Sequence, residues 1–178
     1  GGRRLKSAGV LVSSGLLRDD AEQLNEYYLK SQSVGRPFVV LKLAQSLDGK
    51  IATKSGDSHW ISSAESRKLV HRLRAEIDAV VIGAGTARTD DPELTVRQVK
   101  GRNPYRIVVA GRQPIPRSLR LLSQMKDHKT IVAIPTASGR DTKSERLGKS
   151  DVAIWNVRAE RDGTVSPSDL VQSAHAFG

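Results

Sequence analysis

Between residues 39 and 97 stand four sets of side chains whose type and spacing suit chemistry. Lys42 interrupts the apolar run FVVLKLA at 38–44. A cation in such a run either lifts its ammonium to an edge or faces a waiting anion or carbonyl. Gly83-Ala84-Gly85-Thr86 follows the apolar AVVI, and a strand that runs into Gly-x-Gly and a helix start turns backbone N–H groups toward a phosphate. The dinucleotide fingerprint needs a third glycine at 88, where the chain has Arg88, so a Rossmann assignment fails. An arginine there can instead pair with the extra phosphate that distinguishes NADP from NAD. Asp90 and Asp91 offer adjacent carboxylates for ribose hydroxyls or a metal, but no further His, Asp or Glu cluster lies near them, so no metal site is expected. Arg67, Lys68, Arg72 and Arg74 line one predicted helix, where a solvated basic face is the ordinary reading of each.

The elements that must position these groups alternate. Residues 38–44 read as a buried strand, bounded by Pro37 and a Ser46-Leu47-Asp48-Gly49 turn, with a short second strand at 50–53. After the 55–58 loop, Ser62 reads as a helix N-cap with Glu65 as its capping-box partner, and Val70, Leu73 and Ile77 as the buried stripe. Strands follow at 79–82, 105–110, 130–134 and 152–155. A short helix is expected at 119–125, and another after Ser166-Pro167, which carries proline at the first helical position. Residues 136–149 are polar and read as a mobile loop. Upstream, 10–12 reads as a strand and 19–30 as one helix capped by Asp19, with Leu24, Tyr27 and Tyr28 on a shared face; 31–37 reads as a linker. Short apolar strands alternating with helices mean an α/β fold.

Composition narrows the function classes. At 178 residues and 38% hydrophobic content the chain holds at most one full domain and a fragment. No apolar run approaches the roughly 18–20 residues that span a bilayer, and without cysteine there is no disulfide framework or thiolate zinc site. A cytoplasmic protein with no membrane association is the expectation. The formal charge of +10 suggests a polyanion partner, but the cations are scattered, aromatics are only 4%, and no zinc-finger, RNP or basic-zipper pattern occurs. Small phosphorylated ligands or mere solubility are therefore the better readings, and nucleic acid the weaker one.

The motifs LKLAQSLDGKIA, GDSHWIS, RLRAEIDAVVIGAGT and DDPELTVR, in this order and spacing, resemble the C-terminal reductase domain of the bacterial bifunctional riboflavin-biosynthesis deaminase/reductase, the RibD family. The resemblance implies a dihydrofolate-reductase-like, three-layer α/β fold with a mostly parallel central sheet. It divides the chain into the tail of an upstream deaminase domain with its connector, 1–35, and an incomplete reductase domain, 36–178. It implies transfer of hydride from NADPH to the ribose C1 of 5-amino-6-(5-phosphoribosylamino)uracil. Lys42 is then the catalytic electrophile or proton source. Ser58, Arg74, Leu94 and Arg97 correspond to substrate contacts, and Ala44, Trp60, Thr86 and Asp90 to cofactor contacts, with Gly83 and Gly85 shaping the turn. Homo-oligomerisation is expected as well.

The sequence also departs from the family. Gly111 replaces a small polar cofactor contact, and the family's later strand, glutamate and paired-glycine phosphate loop do not occur before Gly178. An internal segment of a longer protein is the expectation, truncated at its C-terminal side. Two alternatives stand beside the reductase reading: a reductase for another pteridine-like or pyrimidine substrate, and a non-catalytic fragment or binding module of the same fold.

Overall fold

The structure is a computed structural model that describes residues 1–58, 61–111, 113–123, 129–137, 141–147 and 150–177. It separates into two compact units, Gly1–Val39 and Val40–Gly178.

The first unit is helical: α1 Gly2–Ser7, α2 Arg18–Leu24 and α3 Glu26–Val34. The strand expected at 10–12 is absent, and the single helix expected at 19–30 is two helices separated at Asn25 (φ −106°, ψ 17°). Asp19 does not cap; it lies in the first turn of α2 behind a left-handed Leu17, where its carboxylate complements the helix dipole instead. Most of the expected linker is α3, which ends at Gly35 in the left-handed region (φ 63°). This reversal lets Phe38 meet the edge of Tyr27, 4.5 Å between ring centroids, with Lys30 Nζ 5.0 Å from the Phe38 ring.

The second unit is built on a five-stranded sheet in the order β1-β2-β3-β5-β4. Its strands are β1 Ala79–Gly83, β2 Tyr105–Val109, β3 Thr130–Thr136, β4 Asp141–Leu147 and β5 Ser150–Arg158. β1, β2, β3 and β5 are parallel, and β4 runs antiparallel to β5. Register aligns Ile82, Val108, Val132 and Ile154 in one row and Val81, Ile107, Ile131 and Ala153 in the next. Because successive side chains alternate faces, these rows, apart from the exposed Val81, serve two different cores. Val108, Val132 and Val152 pack with α5 (Ala84–Asp90) and α6 (Arg120–Ser123) through Ala84, Ala87, Leu121 and Leu122. Ile107, Ile131, Ala133 and Trp155 form the other core, against Leu170 and Ala174 of α7, Pro167–Phe177. Helices on both faces give the three layers expected of near-continuous apolar parallel strands.

Four expectations for this part of the chain are corrected. Residues 38–44 form no ladder, and Val40, Leu41 and Leu43 are exposed; an apolar, β-prone run becomes a strand only where a partner edge pairs with it. The short strand expected at 50–53 is likewise absent. The expected loop at 136–149 instead contains β4, although 138–140 and 148–149 lie outside the described residues. A polar edge strand carries no apolar signal, because it takes its place from backbone pairing. The helix expected at 119–125 is the four-residue α6, with 124–128 outside the described residues.

Candidate functional site

α4 (Ala64–Glu76) is capped by Ser63, one residue later than expected, whose side chain accepts the Ser66 N–H at 3.2 Å. Its own N–H and the Ser63 hydroxyl hold the Glu65 carboxyl below its ordinary value. The expected stripe of Val70, Leu73 and Ile77 is only half-buried, and the buried residue of this helix is His71. Lys68 and Arg72 are exposed, as a solvated face requires, but Arg74 is half-buried. A spacing of three places His71 and Arg74 on a shared face, and both reach the same loop. Arg74 Nη1 donates to the Thr95 carbonyl at 3.0 Å, and His71 Nδ1 accepts the Arg97 N–H at 3.2 Å. Burial, aided by Arg74 and Arg97, holds the His71 pKa below its ordinary 6.5, which keeps that nitrogen available as an acceptor.

The loop runs from the end of α5 and is itself unusual. Asp91 and Leu94 both have left-handed backbones, φ 38° and φ 55°, a region that costs a residue with a side chain about 1–2 kcal/mol. Asn103 Oδ1 accepts the Val96 N–H at 2.8 Å, and further along a Cβ at Gly101 would collide with Ala75 of α4. Arg120, at the start of α6, donates from the other side. Its backbone N–H reaches Asp91 Oδ1 (2.9 Å), its Nε reaches Asp91 Oδ2 (3.2 Å) and its Nη1 reaches Glu93 Oε1 (3.0 Å). Glu93 Oε2 in turn accepts from Arg97 Nη1 at 2.6 Å. That bond, with Arg97 and Arg120 nearby, holds the Glu93 carboxyl below its ordinary value.

Arg74 and the 92–94 part of this loop, with Arg97 and Arg120, border a cleft of about 370 Å³. Arg74, Leu94 and Arg97, named from sequence as substrate contacts, and Asp90, named as a cofactor contact, all line it. Glu93 and Arg120 line it too, and sequence reading missed both, as it missed His71. The available signals were weak: a histidine three residues before Arg74, and an arginine beside the apolar Leu121-Leu122 pair.

The remaining residues lie elsewhere. Gly83 caps α5 and Gly85 lies in its first turn; both are exposed, with open space where a Cβ would project. Thr86 is exposed on α5, and Arg88 Nη1 approaches the Pro114 carbonyl at 3.4 Å. Pro114 belongs to the rim of a second cleft of about 350 Å³ between the residues that follow β2 and the side of β3, bordered by Gly111, Ile115, Val132 and Ile134. Lys42 and Ser58 are exposed and Ala44 is half-buried; none of the three lines either cleft. Ser58 follows a turn closed by Gly56 N–H to Thr53 O (3.0 Å), and 46–49 closes through Gly49 N–H to Ser46 O (2.9 Å) with Gly49 at φ 76°. The 46–49 turn matches expectation, and the loop expected at 55–58 opens with a turn two residues earlier, at 53–56. Trp60 lies outside the described residues. Among the described residues no group of three or more His, Cys, Asp or Glu is placed to hold a metal, and no helix is long and apolar enough to cross a membrane.

Comparison with known proteins gives one answer. Residues 37–177 match the RibD C-terminal domain. The chain is 39% identical over 155 residues to the riboflavin biosynthesis protein RibD of Aquifex aeolicus, covering 86% of this chain and 42% of that protein. It is 43% identical over 129 residues to RibD of Mycobacterium tuberculosis, covering 69% and 38%. Among solved structures, a Thermotoga maritima diaminohydroxyphosphoribosylaminopyrimidine deaminase/5-amino-6-(5-phosphoribosylamino)uracil reductase superposes with a TM-score of 0.69 at 28% identity, over 98% of this chain and 46% of that one. RibD of Acinetobacter baumannii gives 0.62 at 34% identity, over 72% and 37%. The chain thus spans less than half the length of these relatives. With its three-layer sheet and the DDPELTVR loop set across a charged cleft, it belongs to the RibD C-terminal domain family.

Proposed function

We propose that this chain carries the reductase step of riboflavin synthesis, the NADPH-dependent reduction of 5-amino-6-(5-phosphoribosylamino)uracil to its ribitylamino product. One observation carries the reading: Arg74, Leu94 and Arg97 converge on a single cleft of about 370 Å³. Two guanidinium groups beside one another suit a phosphate monoester, and a volume of this order suits a small ligand. Residues 1–35 are then the tail of an upstream deaminase domain with its connector.

The residues present fit a nicotinamide dinucleotide. The open backbone at Gly83 and Gly85 admits a phosphate, Arg88 supplies a cation for the additional phosphate of NADPH, and the apolar border of the second cleft suits a flat ring. Ala44, Trp60, Thr86 and Asp90 are assigned to the cofactor by the family resemblance; of them Asp90 lines the charged cleft and Ala44 lines neither. When bound, the cofactor supplies hydride to the ribose C1. The chain's own part is alignment and charge: Arg74 and Arg97 anchor the substrate phosphate, Ser58 and Leu94 fix the remainder, and the Lys42 ammonium gives a proton to the ring oxygen as the C1–O bond opens. Homo-oligomerisation and a cytoplasmic location are part of the same proposal.

A second reading, a binding module without turnover, is favoured by the position of Lys42 and Ser58 outside both clefts. NADPH oxidation followed at 340 nm with the phosphorylated substrate and its dephosphorylated analogue decides between them. Oxidation that depends on the phosphate supports the reductase. Saturable binding of NADPH and substrate without oxidation supports the module. Equal rates with both substrates overturn the phosphate assignment.

A further inference from the structure

We infer that Arg120 is a positioning residue, which sets the course of the 91–97 loop and, through Glu93, the place of the Arg97 guanidinium. The proposal rests on the reading of the cleft as a phosphate site. One residue makes the connections. Asp91 receives the Arg120 N–H on Oδ1, the Nε on Oδ2 and on its carbonyl oxygen, and the Nη2 on that same carbonyl. Nη1 goes to Glu93 Oε1 at 3.0 Å, and the other oxygen of that carboxylate holds Arg97 Nη1 at 2.6 Å. Arg120 therefore touches both ends of the Asp91-Pro92-Glu93 turn and reaches Arg97 in two steps.

The loop needs such an anchor. Asp91 and Leu94 occupy left-handed backbone positions that neither residue type prefers, and such conformations persist where surrounding contacts over-determine them. Arg120 is well placed to supply them because the two residues after it, Leu121 and Leu122, are buried in the core. The sheet's packing is thereby transmitted to the cleft. A lysine cannot replace it. One ammonium cannot bond the Asp91 carbonyl, the Asp91 carboxylate and the Glu93 carboxylate with the planar fork used here.

The test uses the 178-residue chain and two readouts. The first is amide hydrogen exchange over 91–97 without ligand. Arg120→Met should speed exchange at Val96 and Arg97 by about tenfold or more, roughly the loss of one or two charge-assisted hydrogen bonds. Arg120→Lys should not restore protection, and α4 amides should be unchanged. Should Arg120→Met fail to fold, Glu93→Gln, which weakens the bonds of Glu93 to Arg120 and Arg97 and leaves those from Arg120 to Asp91 in place, should speed exchange in the same direction by a few-fold. The second readout is calorimetric titration with ribose 5-phosphate, whose affinity should fall about tenfold in Arg120→Met. Full restoration of protection and affinity by Arg120→Lys would reduce Arg120 to a charge and overturn the proposal, as would unchanged exchange in both Arg120→Met and Glu93→Gln. If the unaltered chain binds no ribose 5-phosphate while Arg120→Met still loosens the loop, the phosphate reading falls and the positioning role stands.

Discussion

The two clefts have nearly the same volume, about 370 and 350 Å³, and opposite chemistry. The first is bordered by three arginines, Asp90 and Glu93, the second by Gly111, prolines and aliphatic side chains. They are also made differently. The charged cleft draws on α4, the loop after α5 and the start of α6, elements held together by hydrogen bonds to loop backbone. The apolar one lies along β3 beside the residues that follow β2, near the strand ends where ligands usually bind in a parallel sheet. Under the proposed function this is a division of labour, in which the sheet end would receive a flat, weakly polar group and the loop after α5 would recognise charge.

Lys42 tests that division most severely, because it lies in neither cleft. Lys42→Ala should lower single-turnover NADPH oxidation by about 10²–10⁴-fold, the usual range for a positioned proton donor, and leave NADPH affinity unchanged. Unaltered turnover removes this lysine from the chemistry and leaves the two clefts sufficient. Next in size, Arg97→Ala should weaken ribose 5-phosphate about 10–100-fold by calorimetry without affecting NADPH. An equal loss of both would merge the clefts into one site.

A smaller effect concerns acid. The folded protein holds the His71 pKa below 6.5, so the unfolded chain binds a proton first as pH falls. The stability tied to neutral His71 is complete above pH 6.5 and lost progressively below it. Between pH 7.5 and 5.5 the melting temperature should drop further in the unaltered chain than in His71→Gln, whose amide oxygen still accepts the Arg97 N–H. Equal drops would mean that another group dominates. The smallest effect expected is for Arg88→Ala, a loss of a few-fold in NADPH affinity with NADH unaffected. Matching losses would make its bond to the Pro114 carbonyl, at 3.4 Å, its whole role.

Legibility in the sequence followed the kind of force involved. Ile107, Val108, Ile131 and Val132 announced their strands because a parallel strand buried on both faces must be apolar along its length. β4 was illegible for the converse reason: residues 141–147 have no apolar pattern, and an edge strand is fixed by its partner. The run at 38–44 has a strand's composition without its ladder, since composition reports what a segment would gain by pairing and not whether an edge is offered. In the charged cleft, Arg74, Leu94 and Arg97 were named through family resemblance. Their supports, His71, Glu93 and Arg120, were not, because a hydrogen bond across 26 or 27 residues leaves no periodic trace.

The left-handed pair at Asp91 and Leu94 also bears on engineering. A programme for heat tolerance would mark both positions for glycine or asparagine, which accept such backbones freely. At 91 either change deletes the carboxylate that receives Arg120, and at 94 it removes a side chain only 7% exposed. A variant selected for heat resistance alone would risk a firmer scaffold around a slackened recognition loop, the familiar trade between durability and activity. Rigidifying substitutions are better sought outside 91–97, at surface positions that touch neither cleft.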